Sequence, residues 1–242
     1  MSAIPFPIPT VQASEFSDYL HHWRMELRPL PLEDLLRAAQ APERVAVFCV
    51  DLINGFCHEG QLQSDRVRAI VEPIVSLFER CYAHGVRHFV LPQDDHPPDA
   101  AEFSDYPVHC VHGTSEALTV PELMRLPFSN LFRILPKRSI SSSVATGLDS
   151  WLAAHRDITH RIVVGDCTDL CTYQLAMHLK LEANTRNAMD PVIVPADCVA
   201  TYDVPVEQAR QMGIPAHPGD FFHSVFLYHM HLNGVQVVDR LD

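Results

Sequence analysis

Three residues of this sequence have side chains that together could make sulfur act as a nucleophile. Asp51, Lys137 and Cys171 each follow a run of apolar residues. A free thiol has a pKa of about 8.5, so attack at neutral pH needs a base to take the proton and a cation to balance the thiolate. Asp51 suits the first role and Lys137 the second. Alternatives stay open on chemistry alone: Asp51 can cap a turn, Lys137 can be solvated, and histidine is the commoner base in a chain that has 15.

The cysteine follows a corner at which an apolar run, residues 161–164, breaks at Gly165 and a helix begins. We predict Thr168 or Asp169 as the N-cap, which places Cys171 in or just before the first turn. The positive end of a helix favours a thiolate there, so we expect a lowered pKa for Cys171. The alternative for any single cysteine is a small, buried apolar residue.

Strand-like and helix-like segments alternate along most of the chain, which predicts an α/β fold with a doubly wound parallel sheet. Pro73 lies inside one predicted helix and should cost it a hydrogen bond or a kink. The predicted strands are 45–50, 88–91, 131–135, 161–164, 192–194 and 235–238. The predicted helices of this part are 64–84, 144–155, 171–183, 205–212 and 220–233.

Ligands of such sheets bind beyond the carboxyl ends of the strands. That rule selects Asp51 after the first strand, Asp94 and His96 after the second, Lys137 after the third and Cys171 after the fourth. We expect these side chains to converge on one edge of the sheet.

The first 44 residues differ from the rest. They begin with three prolines, Pro5, Pro7 and Pro9, and then show helical patterns at 14–26 and 31–39. We predict an N-terminal helical extension over residues 1–44, packed on the domain or on a partner subunit, and one domain over residues 45–242.

Composition excludes several classes of protein. The chain has 242 residues and a net charge of −12 from 18 basic and 30 acidic residues, without a basic block, so we expect no nucleic acid partner. No apolar run approaches the length of a membrane span, and no signal peptide is evident. Seven cysteines, an odd number spread through apolar segments, indicate reduced thiols. We therefore expect a soluble cytoplasmic protein.

A second polar set lies between the second and third strands: Asp94, His96, Glu102 and His109. An Asp-x-His pair on an extended stretch points both side chains to one side, because side chains alternate along a strand. Carboxylate and imidazole donors suit Zn²⁺, Mn²⁺ or Fe²⁺. Spacing alone fits a polar loop of a histidine-rich chain equally well.

Three motifs in order resemble the isochorismatase-like cysteine hydrolases, and most of all the nicotinamidase-related amidases. They are DLINGF at 51–56, Lys137, and TDLC at 168–171, and the resemblance covers residues 44–238. It implies a six-stranded, mostly parallel sheet with helices on both faces. It also implies a catalytic triad of Asp51, Lys137 and Cys171.

The same resemblance implies further parts of a site. A cis peptide is expected between Asp166 and Cys167, with an oxyanion hole formed by the backbone N–H groups of Cys167 and Cys171. Phe56 is expected to pack on the substrate. A divalent transition metal, with zinc first and manganese or iron as alternatives, is expected on Asp94, His96, Glu102 and His109, with Glu102 binding directly or through water.

The sequence departs from the family pattern at positions that affect the substrate. Asp95 stands where many nicotinamidases have an aromatic residue, Ala100 replaces a common second histidine, a serine-rich run at 139–142 follows the lysine, and Thr172 follows the nucleophile.

Our first hypothesis is a cysteine amidohydrolase that converts nicotinamide to acid and ammonia through a thioester. The second is the same mechanism on a non-pyridine amide, of the carbamoyl, ureido or maleamate type. The third is a non-catalytic scaffold or binding protein, or a redox protein that uses Cys167 and Cys171. We expect a small-molecule amide as substrate and a homo-oligomeric assembly.

Overall fold

The computed structural model describes residues 10–242, so the three N-terminal prolines lie outside the described residues. Its ten helices in chain order are α1 (Thr10–Glu26), α2 (Leu32–Ala39), α3 (Asn54–Cys57), α4 (Asp65–Arg68), α5 (Val71–Ala83), α6 (Pro121–Met124), α7 (Leu148–Ala154), α8 (Cys171–Thr185), α9 (Val206–Met212) and α10 (Gly219–Leu232). Its strands are β1 (Val45–Val50), β2 (His88–Asp94), β3 (Phe132–Lys137), β4 (His160–Asp166), β5 (Val192–Pro195), β6 (Val199–Ala200) and β7 (Gln236–Val238).

The strands form one sheet in the order β3-β2-β1-β4-β5-β7, and the short β6 pairs with β4. Every strand pairing in residues 10–242 is parallel. Parallel pairs require crossovers, and helices supply most of them here. The predicted six-stranded parallel sheet is therefore correct, with β6 as an addition that is too short to predict from its sequence.

Both faces of the sheet are covered. Side chains alternate along β1, so Val45, Val47 and Cys49 pack into one core cluster with α2, α4, α5 and α6. Ala46 and Phe48 pack on the other face with α7, α8 and α10. Because every residue of β1 is buried, the strand reads as a continuous apolar run instead of an alternating one.

The helix predicted over 64–84 is two helices, α4 and α5. Pro73 is the third residue of α5, where a backbone N–H has no intrahelical acceptor, so proline costs the helix little. The predicted continuous helix with an interior proline was wrong, because the break falls just before the proline. Short helices α3 and α6 were not predicted, since four residues carry no readable periodicity.

The N-terminal helices contact the rest of the molecule in different ways. Leu32, Leu35 and Ala39 of α2 belong to the main core cluster. Leu20 is the one buried residue of α1, and that helix meets α10 through aromatic side chains around Tyr228. The boundary after residue 44 stays a prediction.

All seven cysteines lie in the described part of the chain, and each is a free thiol. No helix within residues 10–242 is long and apolar enough to cross a bilayer.

Candidate active site

The carboxyl ends of three neighbouring strands deliver the predicted polar residues to one edge of the sheet. Asp51 follows β1, Asp94 is the last residue of β2, and Lys137 is the last residue of β3, in register with Asp94. Cys171 is the first residue of α8, after β4. The structure thus brings together the side chains that the sequence selected.

Lys137 lies at the centre of this set. Its buried Nζ is 2.8 Å from Asp51 Oδ2, 2.6 Å from Asp94 Oδ1 and 3.5 Å from Cys171 Sγ. The other Asp51 oxygen accepts the Asp94 backbone N–H at 2.8 Å. Burial alone would lower the pKa of Lys137, but the two carboxylates outweigh burial and raise that pKa well above its usual range. The ammonium is therefore permanent.

Asp51 has the electrostatics of a general base. Burial, followed by the neighbouring Asp94 carboxylate, raises the pKa of Asp51 to about 6, while Lys137 opposes the rise. A base with a pKa near the working pH is the most effective in proton transfer. For Asp94, burial is outweighed by Lys137 and two histidines, so its pKa is lowered.

Cys171 differs from the expectation. Burial raises the pKa of the Cys171 thiol well above its usual range, and although Lys137 acts in the opposite direction, Asp51 and Asp94 add to the rise. The direction of this shift is opposite to the predicted lowering of the Cys171 pKa. The predicted N-caps were also wrong, because the N-cap position is Leu170 and no side chain caps the helix.

The corner before Cys171 has the predicted shape. The Asp166–Cys167 peptide is cis. Leu170 N–H and Thr172 N–H both donate to Cys167 O, at 3.0 and 3.1 Å. The N–H of Cys171, as the first helical residue, has no intrahelical acceptor and is available to a ligand.

Three donors of the predicted metal set lie together. One ligand atom each from Asp94, His96 and His109 falls within 4.8 Å of the others. His96 is fully buried, and within residues 10–242 neither ring nitrogen has a hydrogen bond of good geometry, although Nε2 lies 3.4 Å from Asp94 Oδ1. Such burial is costly unless a ligand such as a metal ion satisfies the ring. His109 Nδ1 is 2.7 Å from Pro107 O, which fixes the ring and leaves Nε2 facing Asp94. These residues fit a divalent metal.

Glu102 is outside this set. It lies on a single 3₁₀ turn, Ala101–Ser104, and its carboxylate is not among the mutually close donors in the described residues. Burial and then the Asp94 carboxylate raise the pKa of Glu102. Ligation by Glu102, directly or through water, stays a prediction.

A second group of close donors, Asp51, Asp94 and Cys171, is not a metal site. The Lys137 ammonium lies within 3.5 Å of all three and already supplies the cation.

An open cavity of about 810 Å³ lies beside the metal set. Its lining includes Glu102, Tyr106, Arg138 and Ser139. Phe56, on α3, is buried with its ring 5.8 Å from the ring of His109. The predicted substrate-packing residue is therefore adjacent to the metal set.

Asp95 has a partner at the surface. Its carboxylate is 2.8 Å from His112 Nδ1. A carboxylate in the substrate pocket would suit a polar or cationic amide, and the pairing of Asp95 with His112 makes it less available for that role. In the serine run, Ser139 contributes its backbone oxygen to Lys137 Nζ at 3.2 Å.

Sequence reasoning missed two histidines that contact the corner, His217 and His223. They bond to Asp169 and Thr168, from 48 and 55 residues further along the chain. No local pattern marks such pairs, so only the fold reveals them.

Comparison with known proteins gives matches of three kinds. A family model described as the isochorismatase domain matches residues 45–215. Nicotinamidase 1 of Arabidopsis thaliana is 30% identical over 217 residues, which cover 81% of this chain and 86% of that protein.

Two solved structures share the fold at lower identity. A nicotinamidase from Bacillus subtilis gives a TM-score of 0.62 at 24% identity and covers 81% of this chain and 99% of its own. An N-carbamoylsarcosine amidase from Thermoplasma acidophilum gives 0.58 at 23% identity, with 80% and 95% covered. Since the family model matches well over half of the residues and a relative is similar across most of its length, this chain belongs to the isochorismatase family.

Proposed function

We propose that this protein is a cysteine-dependent amidohydrolase that converts a small carboxamide to its acid and ammonia. The observation that carries the proposal is the contact of one buried ammonium, Lys137, with both Asp51 and the sulfur of Cys171. One oxygen of Asp51 lies within 4.8 Å of that sulfur. A base and a nucleophile held by the same cation form the arrangement that covalent catalysis by cysteine needs.

In the first half-reaction Cys171 Sγ attacks the carbonyl carbon while its proton passes to Asp51. The carbonyl oxygen becomes an oxyanion, which the N–H groups of Cys167 and Cys171 are proposed to receive. Collapse of the adduct breaks the C–N bond, Asp51 returns the proton to nitrogen, ammonia leaves, and a thioester remains.

In the second half-reaction water attacks the thioester and gives a proton to Asp51. Collapse breaks the C–S bond, and the proton returns to sulfur as the acid leaves. Lys137 stays charged throughout and keeps Asp51 directed at the sulfur. The raised pKa of the Cys171 thiol makes a neighbouring base necessary, and Asp51, with a pKa of about 6, can accept the proton at neutral pH.

A metal ion would be held by Asp94, His96 and His109, with zinc preferred for one carboxylate and two imidazoles. When bound, it would orient and polarise the substrate as a Lewis acid. Asp51, Asp94 and Lys137 together carry one net negative charge, so a divalent cation on Asp94 would also reverse the sign of the local charge and favour the thiolate.

Nicotinamide is the first proposed substrate. Similarity to the Arabidopsis nicotinamidase supports it, as does the position of Phe56 beside the metal set. The second candidate is a non-pyridine amide. The fold shared with an N-carbamoylsarcosine amidase is compatible with that candidate. The serine run favours that candidate, whereas the pairing of Asp95 with His112 weakens the support that Asp95 gives it.

Ammonia release across nicotinamide, an N-carbamoyl amino acid, a ureido compound and maleamate tests the proposal. Replacing Cys171 with Ala should abolish release, whereas Cys81→Ala, at a buried cysteine on α5, should retain it. A kcat/KM for nicotinamide below about 10³ M⁻¹s⁻¹, together with a faster aliphatic amide, would transfer the assignment to the second candidate. Turnover in Cys171→Ala would refute the covalent mechanism, and no release from any amide would favour the scaffold hypothesis.

A further inference from the structure

The turn of residues 167–171, which leads to Cys171 and is called the nucleophile turn below, contains Thr168 and Asp169. The side chains of both residues form hydrogen bonds with histidines of the C-terminal part of the chain. Thr168 Oγ1 is 2.9 Å from His223 Nδ1, and Asp169 Oδ2 is 2.7 Å from His217 Nε2. The Thr168 N–H also donates to Ala200 O at 2.8 Å. Neither histidine belongs to the triad or to the metal set.

His217 is an imidazolium on geometric grounds. Its Nε2 faces a carboxylate, and its Nδ1 is 3.0 Å from Tyr202 O. A carboxylate and a carbonyl only accept hydrogen bonds, so both ring nitrogens must carry protons. Burial would lower the pKa of His217, but the bond to Asp169 outweighs burial and raises it. Asp169 and His217 are therefore a charged pair, 6% and 7% exposed.

The His217 ring has no freedom to move away from Asp169. It is stacked between Tyr202, with ring centroids 3.9 Å apart, and Phe222, at 4.4 Å, both nearly parallel to it. A cation between two aromatic faces gains further stabilisation. The backbone of His217 also exchanges two hydrogen bonds of 2.8 Å with Val204.

His223, in contrast to His217, is a neutral imidazole. Burial, with the nearby cations Arg24 and Arg66, lowers the pKa of His223 to about 4, so the ring that meets Thr168 is neutral. Thr168 is itself fully buried. Asp169 is thus held by a charged hydrogen bond to His217, and Thr168 by a neutral hydrogen bond to His223.

We propose that the Asp169–His217 pair, assisted by His223 on Thr168, is a positioning device that holds the turn of residues 167–171 so that its N–H groups converge on the oxyanion. His217 is a positioning residue, because it acts through Asp169. The inference rests on the proposed acyl transfer at Cys171 and assigns a role to residues outside the triad.

Loss of the pair should reduce oxyanion binding without reducing thiol reactivity. Removal of one oxyanion donor costs on the order of 10²–10³-fold in rate. A displaced turn keeps its donors at poorer distances, so we expect a loss of about 10- to 100-fold. Alkylation of sulfur forms no oxyanion and should be nearly unchanged.

Two variants separate positioning from stability. His217→Phe keeps a ring between Tyr202 and Phe222 and removes both hydrogen bonds, but leaves Asp169 as an unpaired buried charge, so its Tm should fall. The double variant Asp169→Asn/His217→Phe removes that charge and should recover much of the Tm. His178→Gln is a matched control, because His178 forms a 2.8 Å pair with Asp149 on α7, outside the site.

The readouts are the affinity for an aldehyde and the rate of alkylation of Cys171 by iodoacetamide. Pyridine-3-carbaldehyde adds reversibly to the thiol: an S–C bond forms, the C=O π bond opens, and the thiol proton ends on the new oxygen. That oxygen occupies the oxyanion position. Acetaldehyde serves as a second probe that does not depend on a pyridine pocket.

We expect both His217 variants to bind the aldehydes at least tenfold more weakly than the parent protein. Their rates of Cys171 alkylation should stay within about threefold of the parent rate. The His178→Gln control should match the parent in both measurements. Recovery of aldehyde affinity together with Tm in the double variant would reduce the pair to a structural role. Unchanged affinity, or no adduct in the parent protein, would overturn the inference. Adduct formation without ammonia release from any amide would refute the proposed function and leave the positioning role intact.

Discussion

At the scale of single residues, the site depends on one buried ammonium, that of Lys137, which also contacts the Ser139 backbone oxygen. Lys137 contacts two carboxylates and the sulfur while fully buried. Lysine carries a compact charge on a flexible stem, which suits acceptors in several directions better than the planar fork of arginine would. In the proposed mechanism the proton moves between Cys171 and Asp51, while the raised pKa keeps Lys137 charged.

The pH dependence of kcat/KM should report Asp51. The base must be ionised to accept the thiol proton, so activity should fall about tenfold for each pH unit below the pKa of Asp51, which is about 6. A divalent cation on Asp94 would oppose the rise that Asp94 causes in the pKa of Asp51. In metal-loaded protein the loss of activity in acid should therefore begin at or below pH 6. Initial rates from pH 4.5 to 8 measure it.

The matched change is Asp51→Asn, which keeps the shape and removes the base. We expect no turnover at any pH, while Cys171 should still be alkylated at high pH. An unchanged acid limb in Asp51→Asn would assign the titration to another group.

At the scale of elements, a glycine stands where β4 pairs with β1, in register with Val50. Gly165 of β4 has φ of +112°, and a Cβ there would lie 2.0 Å from Val50 O of β1. These are the strands that lead to Cys171 and to Asp51. The register of β1 and β4 therefore helps to position the proposed nucleophile and the proposed base.

Replacing Gly165 with Ala should destabilise the protein by more than about 3 kcal/mol, because backbone must move and φ is unfavourable as well. Gly213→Ala is the control: its φ is +68°, but a Cβ there meets open space, so about 1 kcal/mol is expected. Urea unfolding of both variants gives the difference. Equal losses would show that the approach of β1 and β4 is not the limiting contact.

At the scale of the whole molecule, the metal set connects the edge of the sheet to the segment that crosses it between β2 and β3. Asp94 ends β2, whereas His109 lies 15 positions later in irregular chain. The isolated bridge between His96 and Val111 brings the two ends of this segment together. A bound ion would therefore stabilise the native state and not only the site.

We expect one transition-metal ion per chain in the purified protein, and its removal by a chelator should lower the Tm. At a free metal concentration 100 times Kd, binding contributes about 2.7 kcal/mol. The His96→Ala variant should bind no metal and show no change of Tm with chelator. The control variant His112→Ala, at an exposed histidine, should keep both the metal and the change of Tm. Elemental analysis with thermal unfolding measures both quantities. Active parent protein without metal, or His96→Ala with a full equivalent, would contradict this.

The sequence by itself determined the fold class and the edge of the sheet at which the site lies. Continuous β-branched runs such as β1 predict buried parallel strands, and the strand-end rule then selects Asp51, Asp94, Lys137 and Cys171. The strands and their carboxyl ends can be predicted because an apolar run, and the polar residue that ends it, are visible within a few residues of sequence.

Tertiary structure decided what depends on distance between remote segments and on burial. The raised pKa of Cys171 follows from its burial and from the neighbouring Asp51 and Asp94 carboxylates, and the sequence reveals neither of these surroundings. The position of Glu102 outside the close donors and the bonds of His217 and His223 to the nucleophile turn are likewise set by packing between segments far apart in the chain. Charge and hydrogen-bond energies change steeply over a few ångströms, and sequence spacing does not fix those distances.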